Sequence, residues 1–132
     1  MKNSFKLIRR GEDRMKDDLI TRAARDIIRA KKVVALTGAG MSVESAIAPF
    51  RGKGGLWEKY DPEEYGHIST LRTNPGKAWI MLSEMQKEII KAKPHSGHIS
   101  LAELEQLGFL SSIITQNVDG LHHEAGSKHI ID

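Results

Sequence analysis

Residues 38–40, Gly-Ala-Gly, and residues 115–122, Thr-Gln-Asn-Val-Asp-Gly-Leu-His, carry residue types and spacings from which a nucleotide site can be built. Gly38 and Gly40 let backbone N–H groups approach a pyrophosphate closely, and a helix starting just after them adds partial positive charge. The full dinucleotide fingerprint asks for a further glycine where Val43 stands, so this pair is equally compatible with a plain strand-to-helix turn. Asn117 and Asp119 offer an amide and a carboxylate suited to ribose hydroxyls and a carboxamide; the same residue types also make Asx turns. Gln116 is open to both uses. Arg51 is either a donor for phosphate or carboxylate or a plain surface arginine. His95 and His98 are three apart on an expected helix and His122 adjoins His123, but no Cys or acidic cluster accompanies either pair. Surface or capping roles therefore outweigh metal binding.

These residues need elements to position them. Val33 to Leu36 is a short apolar run ending at Thr37, which reads as a buried strand entering the glycine turn. Ser42 to Ala46 could begin a helix, and Pro49, Gly52, Gly54 and Gly55 make 48–56 a long loop. Asp61-Pro62 and Asn74-Pro75 read as N-caps with proline in the first turn, opening helices to about Leu71 and about Ala92. The second of these shows an apolar face of Ala78, Met81, Leu82, Met85 and Ile89. A further helix is expected from Pro94 to Gly108 through Ile99, Leu101, Leu104 and Leu107. Phe109 to Thr115 makes a second strand, Gln116 to Gly120 a polar turn, Leu121 to Ala125 a helical turn and His129 to Asp132 a third strand. Strand, helical excursion and strand specify an α/β domain with a parallel sheet, whose ligands bind outside the carboxyl ends of the strands. Both glycine and amide turns fall there.

Composition bounds the rest. The 132 residues suit one domain, with 39% hydrophobic and 28% charged residues. No apolar run approaches the roughly 18–20 residues of a membrane span, and the N-terminus lacks the apolar block of a secretory signal. With no cysteine, a disulfide framework, a thiol nucleophile and a thiolate zinc site are excluded, and a cytoplasmic location is expected. The net charge of +3 is concentrated in residues 1–32, which hold 11 Lys and Arg against 5 Asp and Glu. That segment also carries an apolar helical stripe, Met15, Leu19, Ala23, Ile27 and Ala30, widened by Ile20, Ala24 and Ile28, with arginines including Arg14 on the other side. It reads as a docked amphipathic helix; interspersed aspartates argue against nucleic-acid or membrane binding.

The two turns occur in longer strings. GAGMSVESAIAPFRGKGGLW at 38–57 and TQNVDGLHHEAG at 115–126, with YDPEEYGHIS, NPGKAW and KPHSGHISLAELEQLG between them, resemble the sirtuin family of NAD-dependent protein lysine deacylases, and its archaeal and bacterial members most. The resemblance covers about residues 15–132 and implies a partial Rossmann-like domain over 33–132, with a helical excursion at 61–108, preceded by a helical segment at 1–32. It implies that Gly38, Ala39 and Gly40 hold the NAD diphosphate with Ser42 nearby, and that Phe50 and Arg51 lie on a flexible cofactor loop. Gln116 and Asn117 would contact the nicotinamide ribose and Asp119 the carboxamide. In the family, the acyl-lysine oxygen attacks the anomeric carbon as nicotinamide leaves, and a general-base histidine assists the ribose hydroxyls that take the acyl group.

Three departures qualify what the resemblance implies. Ala46 and Ala48 stand where the family has glycine and proline; an alanine forced to positive φ costs about 1 kcal/mol or more. Leu82 and Met85 occupy the positions of the Tyr and Arg of succinyl-selective members, which favours acetyl or a longer apolar acyl group. The general-base histidine falls just beyond Asp132, and the family's four-cysteine zinc ribbon and later strands are also absent from these residues. The expectation is therefore a sirtuin N-terminal half that is inactive alone. The alternative is a non-catalytic NAD-binding module completed by a partner chain. An unrelated nucleotide-binding domain such as a dehydrogenase leaves the second motif unexplained.

Overall fold

The computed structural model describes residues 17–132, and the chain divides into two compact units, Met1–Val33 and Val34–Asp132. In the first unit residues 17–29 form helix α1. It carries Leu19, Ile20, Ala23, Ala24, Ile27 and Ile28 of the expected apolar stripe. Met15 of that stripe, and Arg14 of the face opposite it, lie outside the described residues.

The second unit is built on a parallel sheet of β1 (Val34–Thr37), β2 (Ser112–Thr115) and β3 (Ile130–Ile131), in that spatial order. Ala35, Ile113 and Ile130 form one cross-strand row, and Leu36, Ile114 and Ile131 form the next. Successive side chains on a strand point to opposite faces, so these rows lie on opposite sides of the sheet. Ile113 is 0% exposed, whereas Leu36 is 72% and Ile131 58% exposed. The strand expected to be buried on both faces is covered on one. β2 also starts later than expected, because the N–H groups of Phe109 and Leu110 still donate to Leu104 O and close the preceding helix. Glu105 accepts from the backbone N–H groups of Lys128 and His129, which fixes the chain entering β3.

Between β1 and β2 run a 3-10 helix (Ala39–Ser45), α2 (Leu56–Lys59), α3 (Pro62–Tyr65), α4 (Ile68–Thr73), α5 (Pro75–Ile89) and α6 (Ser96–Gln106); α7 (Leu121–Glu124) follows β2. The helix expected from 61 to 71 is interrupted. Gly66 ends α3, and His67, in extended conformation, accepts Ser69 N–H on Nδ1 and starts α4. The caps at Asp61 and Asn74 form as the sequence predicts, each followed by proline. Asp61 accepts the Glu63 N–H at 2.9 Å, so Asp61→Ala should lower stability by about 1 kcal/mol, read as a lower thermal midpoint.

On α5, Ala78 and Met81 are buried while Leu82, Met85 and Ile89 are partly buried, as its periodicity requires. α6 departs from its expected face: Leu107 and Ile99 are exposed, and its most buried residue is His98. Two apolar clusters result. Ile47, Ala92 and Leu121 form one, with Ile89 against it; Leu56, Tyr60 and Met81 form the other, with Trp57, Tyr65 and Leu82. Among the described residues no helix is long and apolar enough to cross a membrane.

Candidate functional site

The parallel pairing of β1 and β2, with Thr37 opposite Thr115, brings the two turns side by side at the carboxyl edge of the sheet. Gln116 N–H donates to Thr37 O at 3.1 Å, extending the ladder by one bond. Beyond it, the Asn117 side chain crosses to the first turn, its Nδ2 donating to Gly38 O and to Ser42 Oγ, both at 3.0 Å. Ser42 is buried, and its hydroxyl donates to Asp119 Oδ2 at 2.5 Å. The other Asp119 oxygen accepts the Leu121 N–H at 2.9 Å and so caps the approach to α7. A charge-assisted network therefore ties residues 75 to 79 positions apart in the chain into one unit.

That unit borders a cavity of about 110 Å³ lined by Ala39, Ser42, Phe50, Gln116, Asn117 and Asp119, all six of which the sequence singled out. Its other walls are apolar, from Ile47, Ala48, Leu56, Met85, Ile89 and Val118. The apolar positions of α5 had been legible only as a packing face. A second hollow of about 260 Å³ is lined by Asn117 and Asp119 together with Ile130 and Asp132. Gly38 joins the network through its carbonyl, whereas Gly40 and the exposed Arg51 do not line the cavity. Phe50 packs on Trp57, ring centroids 5.4 Å apart. The helix expected after the glycines is a 3-10 helix, wound more tightly than an α-helix and with poorer hydrogen-bond geometry.

Histidines lie beneath the first turn, where surface positions were expected. His95 does cap α6: Nδ1 accepts Gly97 N–H, and Nε2 donates to Met41 O at 2.6 Å. His98 is completely buried, its ring 4.5 Å from that of His95 and 4.9 Å from that of His122, and neither of its nitrogens has a protein partner. His122 is also buried and pairs through Nε2 with Thr37 Oγ1 at 2.9 Å. The apolar spacing of α6, through Ile99, Leu101, Leu104 and Leu107, gave no sign of a buried histidine next to them. No group of three or more His, Cys, Asp or Glu able to hold a metal occurs among the described residues.

Burial holds the pKa of His98 and of His122 below the ordinary value, opposed in both by the nearby Asp119 carboxylate. The unfolded chain then binds protons first as pH falls. Stability should be constant above the unfolded value, about 6.5, and decline below it. Urea midpoints measured from pH 8 to pH 5 should show this decline, and His98→Gln should flatten it.

The Sir2 family model matches residues 38–132. An NAD-dependent protein deacylase 2 of Archaeoglobus fulgidus is 44% identical over 116 residues, 88% of this chain and 46% of that protein. An NAD-dependent protein deacylase of Pyrococcus abyssi is 45% identical over 114 residues, 86% of this chain and 46% of that protein. A solved Sir2 homologue–NAD complex is 44% identical with a TM-score of 0.75, covering 83% of this chain and 43% of that one. A Sir2 structure holding a deacetylated p53 peptide and 3'-O-acetyl ADP-ribose gives 34% identity and a TM-score of 0.82, over 86% of this chain and 46% of that one. The chain thus spans less than half the length of the curated relatives it matches. With a family model over most of its length and relatives this similar, the chain belongs to the Sir2, or sirtuin, family.

Proposed function

We propose that residues 33–132, helical excursion 61–108 included, form the NAD-binding part of a protein lysine deacylase, preceded by the helical segment 1–32. The observation that carries this reading is the Asn117 side chain, which joins the two turns through Gly38 O and Ser42 Oγ next to an apolar cavity with one polar end. Gly40 supports it independently. Its φ is not positive, and a Cβ there would meet no protein atom within 4 Å. Neither backbone nor packing calls for glycine, so close approach by a ligand is the physical use that remains.

Bound NAD supplies an anomeric carbon from which nicotinamide departs, so that an acyl group passes from lysine to ADP-ribose. Gly38, Ala39 and Gly40, with Ser42, receive the diphosphate, and Phe50 and Arg51 close the loop side. Gln116 and Asn117 hold the nicotinamide ribose. Both Asp119 oxygens already accept one bond each and keep lone pairs for the carboxamide. Leu82 packs in the α2–α5 cluster and Met85 lines the cavity; neither offers a cation, which favours acetyl or longer apolar acyl groups. The chain has no cysteine, so its residues do not fit a four-cysteine zinc site.

None of the six histidines matches the family's general base. Residues 1–132 are therefore assigned cofactor binding and not proton transfer, a step worth roughly 10²–10⁴ in rate. The exposed row Leu36, Ile114 and Ile131 favours a further reading in which a complementing chain covers the bare sheet face. Calorimetric titration of the 132-residue polypeptide tests the proposal. NAD and ADP-ribose should each bind, with no nicotinamide released in the presence of acetyl-lysine peptide. A folded polypeptide giving no heat with either nucleotide would overturn it.

A further inference from the structure

His95 makes two hydrogen bonds that together fix its ring and its proton. Nδ1 accepts the Gly97 N–H at 2.9 Å, so the hydrogen of the neutral ring sits on Nε2, and Nε2 donates it to Met41 O at 2.6 Å. One half-buried side chain thereby starts α6 and grips the backbone of the glycine turn 54 positions earlier. The His98 ring packs edge-on against it, with 4.5 Å between centroids.

Capping by itself does not call for histidine. Asparagine and serine supply the same acceptor and are the preferred N-caps. What histidine adds is Nε2, the atom that reaches Met41. Gly97 is fitted to the same ring: a Cβ there would stand 2.6 Å from His95 Cε1, and its φ is not positive, so the ring and not the backbone requires glycine. The other atom close to that Cβ, Met41 Cε at 3.1 Å, is the end of a flexible side chain.

Met41 lies between Gly40 and Ser42, and its N–H donates to Gly38 O at 2.8 Å, the same oxygen that accepts Asn117 Nδ2. Residues 38–41 are thus held at both ends, from the sheet by Asn117 and from α6 by His95. We infer that His95 is a positioning residue for the nucleotide site: by holding Met41 O it sets the backbone of residues 39–42 in place before a diphosphate arrives, and Gly97 makes room for the ring that does so. The inference rests on the cofactor reading of that turn. His95 contributes by pre-organisation, which removes part of the ordering cost of binding.

Asparagine at position 95 separates the two bonds. Its Oδ1 takes the place of Nδ1 and can accept the Gly97 N–H, but it has no atom where Nε2 stands. His95→Asn should keep a folded circular-dichroism spectrum and bind ADP-ribose about 3- to 10-fold more weakly than wild type in calorimetric titration, the worth of one hydrogen bond. In the ligand-free variant the nitrogen chemical shift of Ser42, whose amide is bonded to the Met41 carbonyl, should move. Gly97→Ala displaces the ring and should weaken binding by a similar factor, whereas in the His95→Asn background the same alanine should cost nothing more. Equal ADP-ribose affinity of wild type and His95→Asn, an unmoved Ser42 shift, or losses that multiply in the double variant would overturn the inference while leaving the cofactor reading intact. If folded wild type itself gives no heat with ADP-ribose, the cofactor reading fails and the inference falls with it.

Discussion

Replacing Asp119 by alanine should abolish measurable NAD binding and at the same time lower stability by about 2–4 kcal/mol, since hydrogen bonds to charged groups contribute roughly 1.5–3 kcal/mol each. Two partners lose their acceptor: the buried Ser42 hydroxyl and the Leu121 N–H at the start of α7. Ser42 then also ceases to be an oriented acceptor for Asn117 Nδ2, so the link between the turns loosens. Asp119→Asn separates the two effects. Its amide oxygen can still accept the Leu121 N–H, so most stability should remain, whereas the negative charge facing the cavity is gone. Thermal midpoints and calorimetric titration on the same samples distinguish loss of fold from loss of site. Equal binding by wild type and Asp119→Asn would remove Asp119 from any direct role with the ligand.

Ile113→Ala should be the most damaging single truncation, at about 2–5 kcal/mol, because a fully buried aliphatic loses both its transfer free energy and its packing. Ile113 sits on the central strand, paired to Ala35 on one side and Ile130 on the other, on the covered face of the sheet. A small domain has only about 5–15 kcal/mol of stability in total, so the variant should be partly unfolded under ordinary conditions. Leu36→Ala provides the contrast. Its side chain is 72% exposed on the opposite face, and the substitution should change the urea midpoint little. If the two variants were equally destabilised, the Leu36 face would have to be covered in solution.

The sheet and the meeting of the two turns were legible for a simple reason: neighbouring parallel strands need a crossover such as this helical excursion, and the carboxyl ends of parallel neighbours meet. Gly38, Ser42, Asn117 and Asp119 then fall together without any knowledge of side-chain geometry. The caps at Asp61 and Asn74 were legible because their chemistry is local. What escaped notice was not local. His67 interrupts a helix by using its ring as an acceptor, which its residue type does not announce. His98 occupies the innermost position of α6 while Ile99 and Leu107 face outward, an inversion that only the tertiary packing of α6 against His122 and the first turn explains. The strain at Ala46 was conditional on a backbone angle, and the structure supplies the angle.

The central claim is that two turns distant in sequence receive one nucleotide. Amide chemical-shift mapping of the isotope-labelled polypeptide with ADP-ribose tests it most directly. The amides of Gly38 to Ser42 and of Gln116 to Gly120 should move together, with a single dissociation constant, and both sets should lose their response in Asn117→Ala. Shifts confined to one turn, or two sets titrating with different constants, would contradict the account.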